Sequence, residues 1–475
     1  MNHSLFEQLE NYNQMDYYPF HMPGHKRNSE IKGFPVGIDI TEIEGFDNLH
    51  HASSVLLEAQ QKAAALYGAE ESFFLVNGST AGILSAISAA VSSNGSILLA
   101  RNSHKAAYHG IFLRNIRAEY VYPEMIESYG ICGGINPNEV KRALEHNRSI
   151  EAVFITSPTY EGMLSNIEEI ADITHRNHAV LIVDEAHGAH LNPSGGEFPA
   201  GALDGQADIV IQSLHKTLPS LTQTAVLHVQ GERVNRGKLR KYLQIYQTSS
   251  PSYLFMASID SCIHMLNTQG RELFRVYKER LNRFYEQVKD LKFLHLLSPE
   301  EVEGIAAIQA MDASKLCIFS SQAGISGSRL YNYLLERYHL QMEMAAGEYV
   351  LAMTSIMDRE EGFARLNQAL HELDQEVCQS AENASEWAQL PKAEIIMTAA
   401  EAEEQEREIL PFIESEGRVS LEYRYVYPPG IPVLVPGERI TREVLEVLSY
   451  YHSKNLNIQG QESGKGKIAV INRMK

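Results

Sequence analysis

Between residues 72 and 229 the chain repeats one pattern, a short apolar run followed by a longer stretch of mixed polarity. SFFLV (72–76), SILLA (96–100), EYVYP (119–123), AVFIT (152–156), AVLIV (179–183), DIVIQ (208–212) and AVLHV (225–229) have the length and composition of strands. Several are continuous and rich in β-branched residues, as expected when both faces of a parallel sheet are covered. The segments 80–92, 104–116, 137–146 and 166–178 between them are helix candidates. Strands alternating with helices imply α/β layering with right-handed crossovers.

The rest of the chain changes character twice. Residues 271–291 carry apolar side chains at helical spacing and predict one long helix. A smaller α/β unit should follow, with a strand at 315–319, a helix at 327–337, strands near 340–344 and 349–354, and a helix at 359–377. Residues 380–408 are rich in Ala and Glu, hold the only tryptophan, Trp387, and read as a partly helical connector. The end carries Tyr427-Pro-Pro-Gly-Ile-Pro432 and Pro436-Gly-Glu438, both loop signals, in what should be an α+β unit. The expected division is an N-terminal segment (1–40), a large α/β domain with a mostly parallel central sheet (41–270), a small α/β domain (271–378), and a linker with a C-terminal domain (379–475).

Charge and cysteine content narrow the partners. The formal net charge of −19 disfavours nucleic acid and anionic membranes, which need basic patches; it would mildly attract a cationic small molecule, but acidic residues that simply maintain solubility explain it better, and it selects no substrate. None of the four cysteines (Cys132, Cys262, Cys317, Cys378) forms a C-x-x-C pair, which fits a reducing compartment. The start, MNHSLFEQLENYNQ, is too polar for a signal peptide, and no run of about 18 apolar residues occurs, so a cytoplasmic location is expected.

Four clusters follow predicted strands, at the sheet edge where α/β proteins bind ligands. Asn77-Gly78-Ser79-Thr80 opens a helix, where free backbone N–H groups and two hydroxyls suit a phosphate; as a lone motif it is more often just a helix cap. It lacks the Gly-Lys-Ser/Thr of a nucleotide-binding loop. Arg101-Asn-Ser-His104 offers a flat imidazole able to stack on a ring. Asp184-Glu185-Ala186-His187 places a carboxylate at a buried strand end, where it either keeps a pyridine nitrogen protonated or joins His187 and His190 around a metal. Ser213-Leu-His215-Lys216 decides between these: a lysine at a strand end, flanked by donors, is the Schiff-base arrangement of a pyridoxal 5′-phosphate (PLP) enzyme. Asp184 lies 32 positions upstream of it, and no metal site is assigned.

With these residues in view, the sequence resembles the Orn/Lys/Arg decarboxylase family, basic amino acid decarboxylases of PLP fold type I, in their shorter bacterial form. The matching stretches are FHMPGHK (20–26), GFDNLHH (45–51), FFLVNGSTAGI (73–83), RNSHKA (101–106), SPTYEG (157–162), LIVDEAHGAH (181–190), ADIVIQSLHKTL (207–218), SSPSYLFMASID (249–260) and YPPGIP with PGE (427–438). The resemblance implies that Lys216 carries PLP, Asp184 pairs with the ring nitrogen, His104 stacks on one face and Ala186 packs on the other. It gives the phosphate to Ser79, Thr80, Ser213 and His215, and sets His187 near the phenolic oxygen and the substrate carboxylate. It also implies a homodimer or an assembly of dimers, with Ser249 and Ser250 reaching the neighbouring subunit's phosphate. The stacking motif usually reads Asn-Cys-His-Lys-Ser; Ser103 and Ala106 replace two members here and leave His104 intact.

The reaction so implied is loss of CO₂ from a basic amino acid, with the amine as product and polyamine biosynthesis as its setting. Lys216 or His187 returns the proton to Cα. Another PLP reaction (aminotransferase or lyase), a non-catalytic PLP-binding regulator and a metallohydrolase are the rival readings. Arginine is the favoured substrate over lysine and ornithine, and Glu438 in the PGE turn is one candidate partner for the cationic side chain.

Overall fold

The computed structural model describes residues 4–377, 390–426, 430–453, 458–460, 464 and 466–472. After α1 (Leu5–Gln14) and α2 (Val55–Tyr67), seven strands form the central sheet: β1 (Glu71–Leu75), β2 (Ser96–Ala100), β3 (Arg117–Val121), β4 (Ile150–Thr156), β5 (Val180–Asp184), β6 (Ile209–Gln212) and β7 (Ala225–Val229). Their spatial order is β1-β7-β6-β5-β4-β2-β3. Five neighbours, β6 to β3, run parallel, and β7 alone is antiparallel to both of its partners.

Why the runs are continuously apolar is visible in where alternate residues go. In β5, Val180 and Ile182 enter one core with α3 (Gly78–Ala90), α4 (Lys105–Leu113) and, further along the chain, α8 (Arg236–Tyr246). Leu181 and Val183 enter the opposite core with α2, α5 (Pro137–His146), α6 (Ile167–Arg176) and α9 (Tyr253–Gln287). The short α7 (Leu214–Thr217) follows β6 directly. A strand sandwiched this way has no solvent face, so its polar residues are pushed to its ends.

Departures from the sequence expectations have local causes. The helix expected over 104–116 ends at Leu113, because Asn115 turns the backbone left-handed (φ 50°) and Arg117 already pairs beside Gly95. The third strand therefore begins at Arg117 rather than 119; it is an edge strand, and Arg117 faces solvent. The helix expected over 271–291 begins 18 residues earlier, at Tyr253. Its first half buries Met256, Ile259 and Ile263, and Gly270 sits within it without breaking it.

Helix α9 leads into a four-stranded antiparallel sheet, His295–Leu296, Lys315–Phe319, Tyr349–Met353 and Met344–Ala346 in spatial order, backed by α10 (Gly327–Tyr338) and α11 (Glu360–Glu376). The strand expected at 340–344 starts at Met344, since His339 ends α10 in a left-handed turn (φ 54°) and the chain must first double back. The last unit holds α12 (Ala399–Glu403), α13 (Arg442–Ser453) and two small sheets around Val433, Leu434, Ile440, Val444, Leu448, Ile468 and Val470. Trp387, Cys378 and the Tyr427-Pro-Pro part of the expected loop lie outside the described residues. Among the described residues no helix is long and apolar enough to cross a membrane.

One buried ion pair fastens this last unit to the central sheet. Arg101, just past β2, donates from Nη1 and Nη2 to both oxygens of Glu438 (2.9 and 3.0 Å) and from Nη2 to the Val433 carbonyl (2.9 Å). Tyr120 lies over the guanidinium, 4.6 Å from ring centroid to Cζ. Removing one member of such a pair strands the other in a dry interior. Arg101→Met is therefore expected to lower stability by about 3–5 kcal/mol, read as a drop in the urea midpoint; an unchanged midpoint would mean the pair contributes nothing net.

Candidate active site

The carboxyl ends of β4, β5 and β6 form the floor of a cavity of about 640 Å³. Asp184 is the last residue of β5, in register with Thr156 of β4 and Ile211 of β6. It is 3 % exposed, and its Oδ1 accepts from the Ala186 N–H (3.1 Å). Lys216 stands four residues beyond β6, and its Nζ lies 2.9 Å from His187 Nε2. The lysine side chain is exposed because it borders the cavity, while protein encloses it on its other sides. That burial lowers its amine from the ordinary lysine value, with Asp184 and Glu343 pulling the other way. Asp184 moves upward for the same reason, burial, and Lys216 opposes the shift.

Above this floor the first turn of α3 supplies donors. Asn77 occupies the cap position yet makes no capping bond; its Oδ1 accepts from the Thr248 N–H instead (3.2 Å). The free N–H groups of the helix start thus remain available to an anion. Ser79 Oγ and Ser213 Oγ meet at 2.6 Å, and Thr80 and His215 line the same end of the cleft. The His215 Nδ1–H donates to the Thr224 carbonyl (2.9 Å) in the neutral ring, which fixes the imidazole plane. His104 half-buries its ring at the start of α4, where Nδ1 accepts from the Ala106 N–H (3.2 Å), and the Ala186 methyl is buried in the same cleft. Burial, with Lys216 and Lys105 nearby, pushes His104 down to about 4, so the ring is neutral.

These groups fit PLP by donor chemistry. An anion site of N–H and hydroxyl groups, a buried carboxylate for a ring nitrogen, an amine for an aldehyde, and two flat or small groups flanking a planar ring share one cavity. Three residues that line it carry buried polar atoms with no hydrogen-bond partner among the described residues, Thr156 Oγ1, Asn102 Oδ1 and His187 Nδ1. Ser249 and Ser250 do not join the cleft of their own chain; both are exposed.

Facing the floor is a wall that sequence reasoning did not assign. Tyr160 donates its hydroxyl to Glu343, and its ring lies 4.4 Å from that of His187. Glu161, 9 % exposed, accepts from the Tyr349 hydroxyl at 2.7 Å, and burial raises its carboxyl. Tyr160 and Glu161 follow β4 closely, so the strand-end rule that found Asp184 would have found them. Glu343 comes from the small sheet, 127 residues after Lys216, and nothing local marks it. Glu438 is corrected: it is 2 % exposed, both oxygens are committed to Arg101, and it does not line the cavity. His190 lies beside Asp312 (3.2 Å), and among the described residues no three His, Cys, Asp or Glu side chains converge as a metal site.

The sheet, the anion turn, and the lysine and aspartate at adjacent strand ends are the architecture of a fold-type I PLP enzyme. A family model described as "Orn/Lys/Arg decarboxylase, major domain" matches residues 3–324, and one described as "Orn/Lys/Arg decarboxylase, C-terminal domain" matches residues 380–460. The chain belongs to the Orn/Lys/Arg decarboxylase family, whose members are PLP-dependent amino acid decarboxylases. It is 33% identical to the protein YaaO of Bacillus subtilis, covering 99% of this chain and 98% of that one. It is 30% identical to an arginine decarboxylase of Bacillus anthracis, covering 96% and 94%. Among solved structures, lysine decarboxylase A from Pseudomonas aeruginosa shares the fold with a TM-score of 0.84 at 20% identity, covering 99% of this chain and 80% of that one.

The electrostatics around His104 give a direct check. In the cofactor-free protein its ring proton resonances should stay unmoved between about pH 5 and pH 8. A midpoint near the ordinary histidine value would contradict the buried, cation-flanked environment.

Proposed function

We propose that the protein decarboxylates a basic amino acid, with arginine favoured over lysine and ornithine, using PLP carried by Lys216. The observation that bears this reading is the charge gathered in one cleft: an amine and a carboxylate at the strand ends, and a second carboxylate, Glu343, lining the same cavity and held by Tyr160. A substrate with an amino acid head at Lys216 and a cationic tail at Glu343 satisfies both. Arginine is favoured because the Bacillus anthracis relative bears that activity in its name. The cleft lining holds no arginine among the described residues, so the usual partner of an α-carboxylate in aminotransferases is missing from this chain's own wall.

Bound PLP supplies a protonated pyridine ring that takes up the electrons left when CO₂ departs. Asp184 would hold the proton on that ring nitrogen, because a carboxylate beside it raises the nitrogen's pKa. His104 and Ala186 would flank the ring. Ser79, Thr80, Ser213, His215 and the start of α3 would hold the phosphate. Lys216 Nζ and His187 Nε2, 2.9 Å apart, are the two atoms able to return a proton to Cα. Tyr160 orients the Glu343 carboxylate through its hydroxyl. The reading extends to a cytoplasmic homodimer, or an assembly of dimers, feeding polyamine biosynthesis. The exposed Ser249 and Ser250 would then reach the neighbouring phosphate, within domains bounded near residues 40, 270 and 378.

Incubating the purified, PLP-loaded protein with arginine, lysine and ornithine in turn, and identifying the amine released, tests the reading; agmatine is the expected product. Lys216→Ala should abolish both turnover and the visible absorbance of the bound cofactor. Asp184→Asn should keep part of the cofactor and lose most activity, and a near-normal kcat would remove its role at the ring nitrogen. Glu343→Gln should lower kcat/KM for the basic amino acid by about 10- to 100-fold, the effect of one lost charge-assisted contact, while leaving cofactor content intact.

A further inference from the structure

The turn that carries His187 is gripped from two sides. From the large sheet, Glu185 accepts from the Gln212 side chain (2.6 Å) and the Ala202 N–H (2.8 Å), and Gly188 packs so closely that a Cβ there would lie 2.7 Å from Glu185 Cγ. From the small unit comes Lys315, the first residue of its strand and fully buried. Its ammonium donates to Asp312 Oδ2 (2.8 Å), Ser314 Oγ (3.1 Å) and the backbone carbonyl of His187 (3.1 Å). Three N–H groups thus meet three acceptors, the whole capacity of a lysine head. Asp312 in turn lies 3.2 Å from His190 Nε2, at the far end of the same turn. The Asp312 backbone N–H donates to Gly162 O (2.8 Å), and a Cβ on Gly162 would lie 3.0 Å from Lys315 Cγ, so the pair also abuts the loop that carries Tyr160 and Glu161.

Stability does not account for this arrangement. A fully desolvated ion pair is often no more stabilising than well-packed apolar residues of the same size. What the pair does supply is geometry: Lys315 ties the His187 carbonyl to the start of its strand, and Asp312, in the turn before that strand, sets its carboxylate beside the His190 ring. Among the described residues the His187 ring has one hydrogen-bond contact, with Lys216 Nζ, and its Nδ1 has none.

We propose that Lys315 and Asp312 are positioning residues for the reaction, pinning the His187–His190 turn to the small unit and so fixing the His187 imidazole against Lys216. The inference rests on the proposed function for the importance of His187. It adds that the small unit sets the geometry of the proton-handling pair. The groups facing His187 are Lys216 from α7, Tyr160 from the loop after β4, His104 from the start of α4, and Lys315 with Asp312 from the small unit. Burial first, then Lys216 and Lys315, hold the ring below the ordinary histidine range, with Asp312 opposing. Lys315 thus also helps keep the ring neutral.

Three variants of the PLP-loaded protein test this: Lys315→Met, Asp312→Asn and the double variant K315M/D312N. The first leaves a buried carboxylate without its cation and should lower stability; the double variant removes both charges and should recover folding and cofactor content. In folded, loaded Lys315→Met and double-variant protein, kcat should fall by at least about tenfold, the scale of a reacting group displaced by a fraction of an ångström, with KM within about threefold of native. The acid limb of the kcat profile should move to higher pH in Lys315→Met, because losing a neighbouring cation lets His187 take up its proton earlier. The pH midpoint of the cofactor absorbance should move with it, as His187 touches the lysine that carries the cofactor. A core ion pair with no positioning role would reduce the yield of folded protein and leave kcat per loaded site and both pH readouts at native values; that result overturns the proposal. Failure of all three variants to fold would equally overturn it, by making the pair a folding requirement. If the native protein releases no amine yet the absorbance midpoint moves in Lys315→Met, the proposed function fails and the positioning inference stands.

Discussion

A sheet covered on both faces leaves little room for a polar side chain away from the strand ends, except where one finds a buried partner as His228 does in Ser72 and Gln212, and the site is built from that restriction. Val180, Leu181, Ile182 and Val183 fill two cores alternately, and the first residue of β5 able to carry a charge is its last, Asp184. Likewise β6 spends Ile209, Val210 and Ile211 on the cores before Ser213, His215 and Lys216 appear. Because β4, β5 and β6 are parallel neighbours, their ends converge on one floor, and groups far apart along the chain come within reach of one another.

Depth then sets the chemistry of those groups. Burial raises the Asp184 carboxyl and lowers the Lys216 amine, and each resists the other's shift. His104 and His187 are driven toward the neutral form by burial and by the cations around them. The cleft therefore combines hydrogen-bonding capacity with little fixed positive charge, apart from the lysines that two carboxylates, Asp184 and Asp312, oppose.

Much of the large unit was legible in the sequence because the double coverage of the sheet writes itself as uninterrupted apolar runs. AVLHV coincides with β7, and AVLIV lies one residue from β5. The helix over 104–116 overran because a left-handed Asn115 leaves no hydrophobic signature. The start of α9 was missed because Gly270 and the Ser-Pro-Ser entry resemble a loop. Site residues held by one strand end, such as Asp184 and Lys216, were readable; those contributed across units, Glu343 and Lys315, were not, since their partners lie 183 and 128 positions away. Glu438 shows the same limit in reverse: a carboxylate in a conspicuous turn drew a substrate role, and only the folded chain reveals that Arg101 has already claimed it.

Helix α9 has mechanical implications beyond its packing. With 35 residues it is a rod about 52 Å long at 1.5 Å per residue. Its first half is built into the core beneath the large sheet, and Phe274, Leu281 and Phe284 further along share that core with Leu316, Ile318 and Leu370 of the small unit. A hinge between the large unit that bears Lys216 and the small unit that bears Glu343 would have to bend or unseat this continuous rod, which packs against both. If the proposed function holds, side chains of different length would meet a fixed gauge rather than a closing jaw.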